Sequence, residues 1–246
     1  MGRDGFSELV APARGGRVFR REVDPGFSDS APSGRVRLDA IARWLQDVAY
    51  ADVADAGLAE AAVWVVRRTR ICVHRFPRFA ERFHVATFCS GLGRMWAERR
   101  TTVTRLAQSK PCVEAVSLWV HLDPERWRPT PLSHAEIDTY GDSAAGRSVT
   151  ARLRHPPAPE ATGGDGFGWS FRATDCDLGA HVNNASYWQP LEEELLGGPD
   201  PEGIDAEIEY RTPAQPGEVR IVRNGSRRWI VDDDGETLAS IVVAGF

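Results

Sequence analysis

Asp177, Gly179, His181 and Asn183 crowd into one stretch, Thr174-Asp175-Cys176-Asp177-Leu178-Gly179-Ala180-His181-Val182-Asn183-Asn184. An imidazole changes charge near neutral pH, so His181 can take or give a proton. The Asp177 carboxylate can hold a water, or orient the ring and stabilise its charged form. Asn183 or Asn184 suits the start of a following helix, its amide oxygen accepting from the free first-turn amides. Gly179 permits a close approach to a ligand or a positive φ. On that reading Asp177 and His181 meet beside the positive end of a helix, a place to hold a water and an oxyanion together. Such a stretch taken alone is more often only a turn and a cap. The elements around it must supply the context.

The helix expected after the motif runs through Glu192, Glu193 and Glu194 to Leu196, and Gly197-Gly198-Pro199 ends it. Pro190 inside it should kink the helix or delay its regular part. A short strand at 167–172 precedes the motif. Strands at 204–211, 219–223, 228–231 and 238–243 follow, with turns at Pro216-Gly217, Asn224-Gly225 and Asp234-Gly235. The first half reads the same way. A strand at 17–23 leads to a helix at 38–56, where Ile41, Leu45, Val48 and Ala51 recur at helical spacing and Asp39 is a candidate N-cap. Asp47 and Asp52 on that helix could serve a site, although such residues more often face solvent or pair with an arginine. Strands at 63–73, 83–88, 95–106 and 113–122 come next. A strand, a helix and a meander of strands, twice over, make an α+β chain with two architectural repeats. Residues 131–166, rich in proline and glycine, read as a connector between a unit at 1–130 and a unit at 167–246, with a modest helix at 133–139.

Composition removes several function classes. The chain has 246 residues and a net charge of −5, so binding to nucleic acid is not expected. No apolar run approaches the length of a membrane span. Residues 1–16 are polar and glycine-rich, read as a frayed start and not a signal or transit peptide, which places the protein in the cytoplasm. Cys72, Cys89, Cys112 and Cys176 form no Cys-x-x-Cys pair, so buried reduced thiols are expected and no metal site. Lys110 is the only lysine among 30 basic residues. Arginines cluster at Arg67, Arg68, Arg70, Arg75, Arg78 and Arg82, and again at Arg99, Arg100 and Arg105. Most are expected on solvated strand faces, with an acidic partner as the functional alternative.

At this point the residues resemble those of the acyl-acyl carrier protein thioesterases. The matching pieces in the first half are Leu45-Gln46-Asp47-Val48-Ala49, Trp64-Val65-Val66, Pro77, Ser117-Leu118-Trp119-Val120, Leu122-Asp123 and Arg128-Pro129. In the second half they are Asp175-Cys176-Asp177, His181-Val182-Asn183-Asn184, Tyr187 and Glu193. The resemblance implies a double hotdog, each repeat a sheet wrapped around a long central helix. It implies release of free fatty acid from an acyl carrier protein, and Asp177 and His181 fall on the family's catalytic aspartate and histidine. Two positions depart from the pattern: Gly179 stands where an asparagine is usual, and Pro213 where an acid follows Tyr210-Arg211.

The resulting expectation is hydrolysis of acyl thioesters on carrier protein or coenzyme A, within fatty acid biosynthesis and without a cofactor. Asp177 would polarise a water and His181 shuttle the proton. Amides around Gly179 to His181, with Asn183 as a positioning residue, would meet the oxyanion. Trp44, Leu45, Val48 and Trp119 are candidate acyl-lining residues, and Arg75 and Arg78 candidate carrier contacts. A homodimer is compatible with this reading. The alternatives are a non-catalytic acyl-thioester binder and, ranked last, a hotdog dehydratase or hydratase.

Overall fold

The computed structural model describes residues 5–60, 62–159 and 166–244. Its frame is one antiparallel sheet in the order β1-β3-β4-β5-β2-β7-β10-β9-β8-β6. The first five strands are β1 (Phe19–Val23), β2 (Val63–Val73), β3 (Phe83–Leu92), β4 (Trp96–Arg105) and β5 (Val113–Leu122). The second five are β6 (Gly166–Phe171), β7 (Ile204–Tyr210), β8 (Gly217–Asn224), β9 (Arg227–Val231) and β10 (Thr237–Ala244). The strand order of the second half mirrors that of the first, and β2 joins β7 at the centre with Ile71 opposite Ala206.

Strand alternation builds the two faces. On β2 and β7, Ile71, Val73, Ile204, Ala206 and Ile208 point into the main core. Their neighbours Arg68 and Arg70 lie opposite Glu209 and Glu207 on the other face. That second face is covered too. Glu207 and Glu209 are fully buried, the Ser7 amide donates to Glu207 at 2.8 Å, and the amides of Arg154 and His155 donate to Glu209 at 2.8 Å. The expectation of a frayed start therefore fails at Phe6 and Ser7, which are buried against the sheet; Met1 to Asp4 lie outside the described residues. The expected solvated arginine faces are also corrected, since Arg68, Arg99 and Arg100 are buried. Each finds acceptors there: Arg99 pairs with Asp52 at 2.5 Å, and Arg100 with Glu114.

Helix α1 (Leu38–Asp55) lies against the concave face, with Ile41, Leu45 and Val48 in the core. Its start is not capped by Asp39, as the sequence had suggested. Asp39 instead accepts from Arg37 and Arg43, and the free Leu38 amide donates to Glu192 of the second half at 2.9 Å. The second repeat is less regular. A 3₁₀ turn (Ser186–Trp188) leads into the short α3 (Gln189–Leu196), with Pro190 in its first turn. Proline is tolerated there because its missing N–H would have no partner. The connector is more ordered than a linker. Helix α2 (His134–Ala144) carries a reciprocal cap between Ser133 and Glu136 and packs on β3. Residues 160–165 lie outside the described residues.

Candidate active site

The motif folds as a tight hairpin. Cys176 and Val182 bridge, the Asp177 amide donates to the His181 carbonyl at 3.1 Å, and the Ala180 amide to the Asp177 carbonyl at 3.0 Å. The left-handed position is Ala180, at φ +57°, and not Gly179. Gly179 is needed for space instead: a Cβ there would sit 3.1 Å from Asp177 Oδ1. The Asp177 carboxylate is held at both oxygens. The Gly179 amide donates to Oδ1 and Asn183 Nδ2 to Oδ2, each at 2.8 Å. Asn183 also accepts from the Ala185 amide at 2.9 Å, so it caps the turn before the 3₁₀ segment.

Two parts of the expected geometry are corrected by these contacts. Regular helix begins only at Gln189, so Asp177 and His181 do not share the N-terminus of α3. The amides of Gly179 and Ala180 are already spent within the hairpin, so of the amides expected to meet an oxyanion that of His181 alone makes no hydrogen bond among the described residues. The side chains of Asp177 and His181 flank Gly179 but make no hydrogen bond or ion pair with each other among the described residues.

Beside the hairpin opens a cavity of about 500 Å³. Asp177, Leu178 and Asn184 form part of its wall; His181 does not. One stripe of α1, comprising Gln46, Asp47, Ala49, Tyr50 and Val53, lines it as well. Trp64 of β2, Cys89 of β3, Ala97, Glu98 and Arg99 of β4, Trp119 of β5, and Glu136 and Tyr140 of α2 complete the lining. Tyr50 and Leu178 are largely exposed, which gives the mouth an apolar rim.

Of the residues expected to line an acyl chain, Trp119 lines this cavity. Leu45 lines a narrower cleft with Gln46, Asn184 and Trp188. Trp44 and Val48 lie in the core, with the Trp44 ring 6.3 Å from that of Phe83. The reason is helical phase. The stripe through positions 41, 45 and 48 faces the sheet, while positions 46, 49, 50 and 53 point to the cavity. That second stripe keeps helical spacing, so Gln46, Asp47 and Tyr50 were within reach of a periodicity reading. Glu136 and Tyr140 were not, because nothing local in a connector says what it packs on. Arg75 and Arg78 lie outside the cavity wall. Arg75 pairs with Glu81 at 3.3 Å, and Arg78 donates to the Ser33 carbonyl at 3.1 Å and stands 3.9 Å from Asp200.

Electrostatics divide the acids of the wall. Burial raises the pKa of Asp47 above the usual aspartate value, with Arg21 and Arg43 opposing. Burial also pushes the Cys89 thiol up to about 11, so it is a protonated wall group and not a nucleophile. Away from the cavity, His155, Glu207 and Glu209 bring ligand atoms within 4.8 Å of one another. Their carboxylates already accept from Ser7, Arg154 and the backbone of 154–155, with Arg68 alongside, which is the donor set of an ion-pair cluster and not of a metal.

The mirrored sheet around α1 defines a double hotdog. Solved structures share it. An acyl-ACP thioesterase from Bacteroides thetaiotaomicron superposes with a TM-score of 0.73 at 16% identity, covering 92% of this chain and 98% of that one. The 12:0-ACP thioesterase from Umbellularia californica gives 0.72 at 18% identity, covering 92% and 96%. In sequence, an uncharacterised protein of Mycobacterium tuberculosis is 28% identical over 225 residues, 90% of this chain and 88% of that protein. An oleoyl-acyl carrier protein thioesterase of Coriandrum sativum is 26% identical over 176 residues, 64% of this chain and 45% of that protein. Residues 16–140 match the family model of the acyl-ACP thioesterase N-terminal domain. The chain belongs to the acyl-ACP thioesterase family, a membership that supports acyl-thioester hydrolysis in general.

Proposed function

We propose that the protein hydrolyses fatty acyl thioesters, carried on acyl carrier protein or coenzyme A, to the free acid and a thiol. The observation that carries this reading is Asp177, a motif residue held rigidly at both oxygens in the wall of a largely apolar cavity. A carboxylate so fixed can position an attacking water at the mouth while the acyl chain fills the cavity. In this reading 1–130 and 167–246 are the two hotdog units and 131–166 the connector. The first unit supplies most of the acyl wall and the second the motif. His181 stands beside Gly179, outside the cavity wall, and assists Asp177 without touching substrate. The carrier docks along Arg75 and Arg78, and the reaction belongs to cytoplasmic fatty acid metabolism.

The test is thiol release from a panel of acyl-carrier and acyl-CoA substrates. Asp177→Asn is expected to lose on the order of 10²–10⁴ in turnover, as for loss of a group acting on the reacting water. His181→Ala is expected to lose less. Unchanged rates in both variants would remove the mechanism. Arg75→Glu with Arg78→Glu is expected to slow carrier substrates and spare coenzyme A ones; equal rates on both sink the docking site. The second reading, an acyl-thioester binder, takes its support from the lack of a hydrogen bond between the Asp177 carboxylate and the His181 ring. It predicts saturable binding with no thiol released.

A further inference from the structure

We propose that Asp47 of α1 is a second catalytic carboxylate, taking the proton of the attacking water across the cavity from Asp177. The inference rests on the thioesterase reading above. Asp47 and Asp177 come from opposite halves of the chain and line one cavity. They differ in how they are held. Both oxygens of Asp177 accept hydrogen bonds, whereas the Asp47 side chain makes no hydrogen bond or ion pair with any described residue. The other acids of the region are committed. Glu98 accepts from Ser90 and Arg147, Glu136 from Ser133, and Asp52 from Arg17 and Arg99. Asp47 is thus the carboxylate of this wall whose oxygens are free to accept a proton, and it is exposed enough to meet water.

Two amide side chains complete the arrangement. Gln46, next to Asp47, and Asn184, beyond the motif, line both the cavity and the narrow cleft beside it. Neither side chain makes a hydrogen bond to a described residue. Tyr210 Oη donates to the Asn184 carbonyl at 3.0 Å, which fixes that backbone and leaves the side chain to turn inward. The N–H groups of these two side-chain amides can meet a thioester carbonyl oxygen as it gains charge, in place of the Gly179 and Ala180 amides that are spent. The step balances. Water gives a proton to the Asp47 carboxylate as its oxygen bonds to the carbonyl carbon. The tetrahedral oxyanion then collapses, the C–S bond breaks, and the Asp47 carboxyl returns its proton to the departing thiolate.

The surroundings of Asp47 suit proton exchange. Burial raises its pKa, helped by Asp29, while Arg21 from β1 and Arg43 from α1 pull the other way. It shares the wall with Asp177, with Arg99 and Glu98 of β4, and with Glu136 and Tyr140 of α2. The charges of Arg99, Glu98 and Glu136 are tied to the partners named above or, for Glu136, stand 3.1 Å from His121.

The experiment compares Asp47→Asn and Asp47→Ala with the unaltered chain and with Asp177→Asn on the same thioester panel. Asp47→Asn should lower kcat by about 100-fold or more with KM within about threefold, the pattern of a group acting on the reaction and not on binding. The rise of kcat/KM with pH, which reports the base losing its proton, should flatten in both Asp47 variants. Added formate should restore part of the rate to Asp47→Ala. Thermal melts should be unchanged. Three results overturn the proposal: Asp47→Asn turning over within about threefold of the unaltered chain, a pH profile that keeps its acid limb, or no rescue by formate. If Asp177→Asn is inactive while Asp47→Asn is not, this inference fails and the thioesterase reading stands. An unaltered chain that releases no thiol overturns both.

Discussion

Asp177 owes its position to what is missing two residues later. Gly179 keeps an ordinary φ, so backbone strain does not explain it; a Cβ there would stand 3.1 Å from the Asp177 carboxylate, closer than the two can comfortably sit. Gly179→Ala should therefore displace the carboxylate by a few tenths of an ångström. On the proposed mechanism it lowers kcat by about tenfold, because misplacement at a reacting centre is costly. An exposed hairpin should at the same time lose less than about 0.5 kcal/mol of stability. Kinetics and a urea melt on the same preparation check both halves, and an unaltered kcat would show that the carboxylate is not positioned in this way. Tyr187, also in the motif, has a different task. Its hydroxyl accepts from the Ala214 amide at 2.7 Å, and burial raises its pKa to about 12, so it stays protonated and holds the loop after β7 against the hairpin.

The two helices of the repeats meet through one acid. Glu192 of α3 is buried, takes a two-point hydrogen bond from the equally buried Arg35 at 2.6 and 3.2 Å, and accepts from the first amide of α1. Removing it would leave the buried Arg35 with only its 3.2 Å ion pair to Asp200 among the described residues and strand a helix amide in the interior. Glu192→Ala should cost about 3–5 kcal/mol, the penalty for breaking a buried pair from one side. Chemical denaturation reads this directly, and a loss below about 1 kcal/mol would mean that water reaches the pair. Of the three glutamates in the run, the sequence resemblance pointed to Glu193. It is exposed, and the preceding residue makes the inter-helix contact. Helical phase decides between them, and an eight-residue helix entered through a 3₁₀ turn has no phase that can be counted reliably from sequence.

Across the molecule, the outer face of the sheet is a layer of buried charge, and this sets the response to acid. Desolvation pushes the pKa of Glu207 up, but contacts from His155, Arg154 and Ser7 outweigh it and hold the pKa below the ordinary glutamate value of 4.5. Asp39 is likewise held below 3.8, against desolvation, by Arg37 and Arg43. A lowered folded pKa contributes stability above the unfolded value and loses it as pH falls through the folded value. The urea midpoint should therefore be steady from neutral pH down to about 5 and fall below about 4.5. Glu207→Gln should flatten that fall, and a midpoint still level at about pH 3 would contradict the account. The strands, α1 and the motif hairpin were legible in the sequence, because alternation, helical spacing and turn residues are local and each element carries its own. The repeat was legible for the same reason. The cavity wall was not. Asp47 and Asp177 are far apart in the chain, and their meeting depends on β2 pairing with β7, which brings the two halves into one sheet. Tertiary structure also decided that Ser7 and the arginines of the strands are interior. A charge near a sheet reads as solvated until some other segment covers it, and that covering depends on contacts between residues distant in sequence.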